Sequence, residues 1–145
     1  MARLVGKPVF GGVGAGVILK AATPLSLWGG VALENGVVTD RTSGIAGECV
    51  AGRVLVFPAS RGSSSSTGFL VELVRRGLAP AAIVNVRTEP IVALGSIVAR
   101  ELYGRAVPIV ALSETDYARL RAGDRVAVDG DAGTVTSLDT SEGGS

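Results

Sequence analysis

RVLVFPASRGSSSSTGFLVELVRRGL, residues 53–78, decides the fold of this chain. Val54, Leu55, Val56 and Phe57 form a β-rich run that Pro58 stops. Residues 59–68, ASRGSSSSTG, are small and polar. Phe69, Leu70, Leu73 and Val74 then recur at the spacing of a helix burying one face. The stretch predicts strand, Ser-rich loop, helix. Such a loop meets the helix N-terminus, where backbone N–H groups without intrahelical partners and the positive end of the dipole favour an anion. A serine there could bind a phosphate or carboxylate, or have its own alkoxide stabilised. Four consecutive serines also fit a flexible linker or an N-cap. The position of the loop between two apolar elements favours a site.

Working outward, a chain of 145 residues is expected to form one domain, burying roughly two-thirds of its unfolded surface. Hydrophobic residues make up 47% and aromatics 4%, so the core must be aliphatic. Net charge is +1 and no basic cluster exceeds Arg75-Arg76, which recommends neither nucleic acid nor an anionic membrane surface. Mean hydropathy is high, +0.44, yet no apolar run approaches the roughly 18 residues of a membrane span. That surplus predicts an apolar surface covered by a partner subunit.

Cys49 is the only cysteine and histidine is absent. A disulfide framework is thereby excluded, and a reducing cytoplasm is the expected compartment. A lone cysteine cannot hold zinc or an iron–sulfur cluster, so no metal is expected on this chain and Cys49 reads as a small core hydrophobe. Without histidine the commonest general base and phosphocarrier is missing. The opening MARLVGKPVFGG lacks the layout of a signal peptide. Gln is absent and Asn occurs only at Asn35 and Asn85, a thinning of thermolabile residues that points to a thermophilic source.

Residues 4–10 and 15–20 read as strands around the turn Gly11-Gly12-Val13-Gly14, which lacks the helix and distal acid of a dinucleotide fingerprint. Residues 22–30, ATPLSLWGG, form a loop carrying the only tryptophan. Trp28 beside Gly29 and Gly30 is either an anchor packed on the core or a wall where backbone approaches a ligand. Glu34-Asn35-Gly36 is a turn, 41–47 a polar connection, and 49–57 returns to strand. Gly77 ends the first helix and Pro80 bars its continuation. Residues 81–86 read as a buried strand of the parallel kind. A second helix follows Pro90, with Ile91, Leu94, Ile97, Val98 and Leu102 on one face and Gly104 at its end. Residues 107–112 form another strand. Ser113 caps a short helix running through Leu120, and 125–129 with 133–136 make a closing hairpin around Gly130-Asp131. The expectation is a single α/β domain over 1–138 with β-rich layers on one side and helices on the other, followed by a disordered tail, 139–145.

PLSLWGG (24–30), AGRVLVFPASRGSSSS (51–66), LVRRGLAPAAIV (73–84) and GSIVARELYGRAVPIV (95–110) together resemble the small, swivelling subunit of the aconitase X family. The likeness runs in order from about residue 20 to 112. The family more often has Phe at the position of Leu27, and Gly-Ser at Ser66-Thr67. The hairpin VAVDGDAGTV is also similar to the mobile phosphohistidine domain, another swivelling β/β/α fold, whose activity the absence of histidine excludes.

The resemblance implies a swivelling β/β/α fold like the mobile domain of aconitase: a layered mixed sheet with helices packed on one side. It implies a large catalytic partner subunit, in a heterodimer or heterotetramer, that carries a [4Fe-4S] cluster, with no cofactor bound by this chain alone. It implies a phosphorylated hydroxy acid substrate and a dehydratase (hydro-lyase) reaction. Within the family the likeness is greatest to archaeal enzymes that convert (R)-5-phosphomevalonate to trans-anhydromevalonate 5-phosphate in isoprenoid biosynthesis. Cis-3-hydroxy-L-proline dehydration is the family alternative, and a stand-alone phosphometabolite-binding module the alternative of another class. By the resemblance Ser63 is the proton acceptor. Arg61, Gly62, Ser64, Ser65, Trp28, Gly29 and Gly30 are implied to touch substrate.

Overall fold

The computed structural model describes residues 3–25, 30–59, 65–87 and 90–138. Strands β1 (Arg3–Val5), β2 (Lys7–Phe10) and β3 (Val13–Lys20) come first. Strands β4 (Val54–Val56), β5 (Ala82–Asn85) and β6 (Ile109–Ala111) then alternate with helices α1 (Ser65–Arg75) and α2 (Pro90–Tyr103). A short α3 (Glu114–Tyr117) precedes the hairpin β7 (Arg125–Asp129) and β8 (Thr134–Ser137). The strand–loop–helix expected at 53–78 is thus β4 followed by α1. Gly77, at φ 73°, accepts the left-handed conformation that ends α1, and Leu78 N–H donates to Leu73 C=O at 2.9 Å, satisfying one of the helix's last carbonyls.

The sheet order is β1-β8-β7-β3-β4-β5-β6-β2. Strands β3, β4, β5 and β6 run parallel, and β2, β7, β8 and β1 pair antiparallel with their neighbours. The first and last strands of that order are separated in sequence by Gly6 alone, so one short segment, 3–10, serves both ends of the sheet. A Cβ at Gly6 would lie 2.2 Å from the Ala111 carbonyl oxygen, and only glycine fits there. Residues 4–10, read from sequence as one strand, are therefore two strands serving opposite ends of the sheet.

Successive residues of the parallel strands feed two different cores. Leu19, Leu55, Ile83 and Ile109 pack with Leu70, Leu73 and Val74 of α1 and Val92 and Ala99 of α2. Ile18, Val54, Val56, Ala82, Val84 and Val110 point the other way and meet Val126, Val128 and Val135 of the closing hairpin. Both faces are covered, which is why these strands are apolar without alternation. Each fully buried aliphatic side chain here contributes roughly 1.5–3 kcal/mol. The layers are β, β and α in that order, as the swivelling fold requires.

The structure corrects several local readings. Val13 and Gly14 belong to β3, not to a turn, and a Cβ at Gly14 would lie 2.0 Å from the Ala81 carbonyl oxygen. Only Val54–Val56 of the 49–57 run is strand. Cys49 is partly buried outside the core, with its thiol donating to Asn35 C=O at 3.3 Å. α3 stops at Tyr117. On α2, Leu94, Ile97 and Leu102 do share a face, but it is the outer one; Val92, Gly95, Ser96 and Ala99 are buried. The tail 139–145 lies outside the described residues. Among the described residues no helix is long and apolar enough to cross a membrane.

Candidate active site

Where parallel strands alternate with helices, ligands bind beyond the carboxyl ends of the strands. At that end of β4, β5 and β6 lies a cleft of about 520 Å³ lined by Pro24, Pro58, Ala59, Val86, Arg87, Glu114 and Tyr117. Its volume suits a small metabolite. The backbone weaves its floor together. Leu25 N–H donates to Ala59 C=O at 3.1 Å, and Val86 and Arg87 N–H donate to Pro58 C=O at 3.1 and 3.3 Å. Ala59 also bridges to Arg87 in parallel fashion.

These contacts gather three anchors. Leu25 precedes 26–29, Ala59 precedes 60–64 and Arg87 precedes 88–89. The Trp loop and the Ser loop, separate in sequence, are thus rooted side by side at one cleft. Of the residues singled out from sequence, Ser63, Arg61, Gly62, Ser64, Trp28 and Gly29 lie outside the described residues. Ser65 is the first residue of α1, among the four whose N–H groups have no intrahelical acceptor. Gly30 is buried, and a Cβ there would meet Leu25 Cδ1 at 3.3 Å and Asp40 Cβ at 3.8 Å.

Sequence reasoning missed the charged and hydroxyl groups of the cleft. Arg87 lies two positions past the end of β5 and is exposed; among the described residues no carboxylate pairs with it. Glu114 opens α3, whose N-cap Ser113 accepts from Asp116 N–H at 3.2 Å. Tyr117 packs its ring on the inter-sheet core, while its buried hydroxyl has no hydrogen-bond partner among the described residues. Burial pushes the Tyr117 phenol up to about 12, so it stays protonated and able to donate. The Lys20 ammonium sits 4.7 Å from the centre of that ring and donates to the Tyr117 and Leu120 carbonyls at 3.3 and 2.8 Å. Desolvation lowers the Lys20 pKa from its ordinary value. The one signal for Arg87 was its place at the carboxyl end of a parallel strand.

The aconitase X swivel-domain model matches residues 3–137. The chain belongs to the aconitase X family. A phosphomevalonate dehydratase small subunit from Thermococcus gammatolerans is 38% identical over 137 residues, covering 94% of this chain and 98% of that one. A cis-3-hydroxy-L-proline dehydratase from Hypocrea jecorina is 39% identical over 127 residues, 88% of this chain. This chain spans only 21% of that relative's length. The holo-form crystal structure of Thermococcus kodakaraensis aconitase X superposes with a TM-score of 0.85 at 35% identity, covering 96% of this chain and 100% of the other. The expected swivelling β/β/α architecture is the observed one.

Proposed function

We propose that this chain is the small, swivelling subunit of a two-chain dehydratase that converts (R)-5-phosphomevalonate to trans-anhydromevalonate 5-phosphate, with Ser63 as proton acceptor. The observation that carries the reading is the convergence of Leu25, Ala59 and Arg87 on one cleft, because these residues root the Trp and Ser loops that are most specific to the family. The substrate follows the relatives named phosphomevalonate dehydratase small subunit, which align with this chain over nearly their whole length.

In this reading the Ser63 oxygen takes the proton from the carbon beside the substrate carboxylate while the hydroxyl on the next carbon departs. A serine alkoxide is far too basic to persist in water, so fixed dipoles must hold it. The N–H groups of the first turn of α1, which have no intrahelical acceptor, supply such dipoles, and Arg61 adds a full charge able to clamp the carboxylate in bidentate fashion. The donor set of this chain does not fit an iron–sulfur cluster, since it has one Cys and no His. Among the described residues no three His, Cys, Asp or Glu side chains converge. The [4Fe-4S] cluster belongs to the large subunit in this reading, where it would polarise the departing hydroxyl. The outer face of α2, with Leu94 at 50%, Ile97 at 40% and Leu102 at 62% exposure, is the surface assigned to that subunit. α2 begins at Pro90, three positions past Arg87 in sequence. A cytoplasmic location goes with the same reading.

The test is reconstitution with the large subunit. Ser63→Ala should leave the complex assembled while turnover falls by about 10²–10⁴-fold; undiminished turnover would move the base elsewhere. The chain alone should turn over nothing. A second substrate, cis-3-hydroxy-L-proline, is favoured by one feature, the Glu114 carboxylate on the cleft, which suits a ring ammonium. Assay of the pair against both acids separates them.

A further inference from the structure

We propose that Arg87 and Tyr117 form an oxyanion-binding subsite that receives the phosphate of the substrate, away from the carbon centre that reacts. The inference rests on the substrate assigned above and adds residues that the family motifs do not contain. The substrate carries two anionic groups, a carboxylate and a phosphate. The Ser loop supplies one arginine, Arg61, within two positions of Ser63. Arg87 supplies a second cation from a different element, in the cleft on which that loop is rooted.

Its backbone is fixed by the N–H bond to Pro58 C=O at 3.3 Å and by the bridge to Ala59. The strand end is therefore held at the cleft, and the exposed guanidinium is left for a ligand. A planar guanidinium suits two oxygens of one phosphate at once. Tyr117 brings a hydroxyl already removed from water, with no acceptor among the described residues. A buried donor in that state is satisfied by a ligand oxygen. The Tyr117 backbone is held by its N–H bond to Ser113 C=O at 2.8 Å, and Lys20 over the ring adds positive charge behind it. Glu114 is the opposing charge on the cleft wall. Its negative charge opposes a phosphate in the cleft, which the Arg87 guanidinium offsets.

The two-chain enzyme tests this. Arg87→Gln should raise KM for the phosphorylated acid by about 30- to 100-fold, with kcat changed less than about threefold, because an anchoring contact remote from the reacting carbon is lost. Arg87→Lys should recover part of the loss, since charge remains without the planar fork. Tyr117→Phe should raise KM by about 5- to 10-fold, and Glu114→Gln should lower it. Inorganic phosphate should compete with substrate in the wild type, with a Ki raised in Arg87→Gln by the same factor as KM. An unchanged KM and unchanged phosphate inhibition in Arg87→Gln would overturn the proposal, as would loss of kcat alone. Should Arg87→Gln fail to assemble, phosphate inhibition of Arg87→Lys and Tyr117→Phe decides by the same criterion. If the wild type dehydrates the imino acid and not the phosphorylated one, the assigned substrate is wrong. The subsite then stands only if phosphate still inhibits in an Arg87-dependent way, and falls if phosphate does not inhibit at all.

Discussion

Helices α1 and α2 pack side by side on the same face of the same sheet, yet they present their residues in opposite ways. α1 buries its large apolar residues, Leu70, Leu73 and Val74, and turns Arg75 outward; Arg76, just past its end, is exposed too. Glu72 ties those arginines down, accepting from Arg75 Nε at 2.9 Å and Arg76 Nε at 2.7 Å, and the two guanidiniums hold its carboxyl down at about 2. α2 does the reverse, burying Val92, Gly95, Ser96 and Ala99 and exposing Leu94, Ile97 and Leu102. Size explains the choice. A Cβ at Gly95 would lie 3.1 Å from the Thr67 carbonyl oxygen and 3.2 Å from Leu70 Cβ, so the helices touch where α2 has no side chain. Ser96 completes the contact polar-side in, its hydroxyl donating to Val107 C=O at 2.7 Å and accepting from Val107 N–H at 2.8 Å. The chain itself covers the small-residue face of α2 and leaves the large residues outward.

The comparison can be broken at three points of decreasing effect on the fold. Leu73→Ala removes a fully buried side chain from the core beneath α1 and should cost about 2–5 kcal/mol, read as a loss of denaturation midpoint at unchanged m-value. A loss as small as that of an exposed leucine would show that α1 does not anchor the layer. Ser96→Ala takes the hydroxyl from Val107 and leaves a buried N–H without an acceptor. Denaturant titration should show about 1–3 kcal/mol lost. A neutral result would mean that size alone, and not the polar clamp, orients α2.

Legible in the sequence were the elements whose pattern has one solution. Val54 to Val74 alternates a β-branched run, a small polar loop and an amphipathic helix with arginines opposite its apolar face. Only one arrangement buries the first and last of these. α2 was legible as a helix but not in its orientation, because hydrophobic periodicity cannot rank two apolar faces; the close approach at Gly95 does. The division of residues 4–10 between the two ends of the sheet was not legible either. Residues 4–10 look continuous, and nothing local signals that Gly6 N–H must reach Gly133 C=O at 2.7 Å. The same holds for the cleft. Trp28 and Ser63 announce themselves by motif, and the structure places the anchors of their loops. Arg87 and Tyr117 are ordinary residues after a strand and in one turn of helix, and only the tertiary fold brings positions 58, 87 and 117 to one cleft.

The third point is the outer face of α2, where the smallest change in stability should accompany a large change in assembly. Leu94 and Ile97 are half and two-fifths exposed, so replacing both by serine should alter the stability of the isolated chain by only about 0.5 kcal/mol per site. The same pair, if covered by the large subunit, loses apolar contact in the complex, and its affinity should fall by about 10- to 100-fold. Calorimetry of the chain alone and titration with the large subunit separate the two contributions. A melting temperature lowered as far as by Leu73→Ala would show that this face already lies in the core, and the contrast between the helices would vanish. Unaltered affinity with unaltered stability would put the partner on another surface and leave the apolar face of α2 without an occupant. Only the split result, a stable chain that no longer assembles, agrees with a helix whose small residues serve the fold and whose large ones serve the complex.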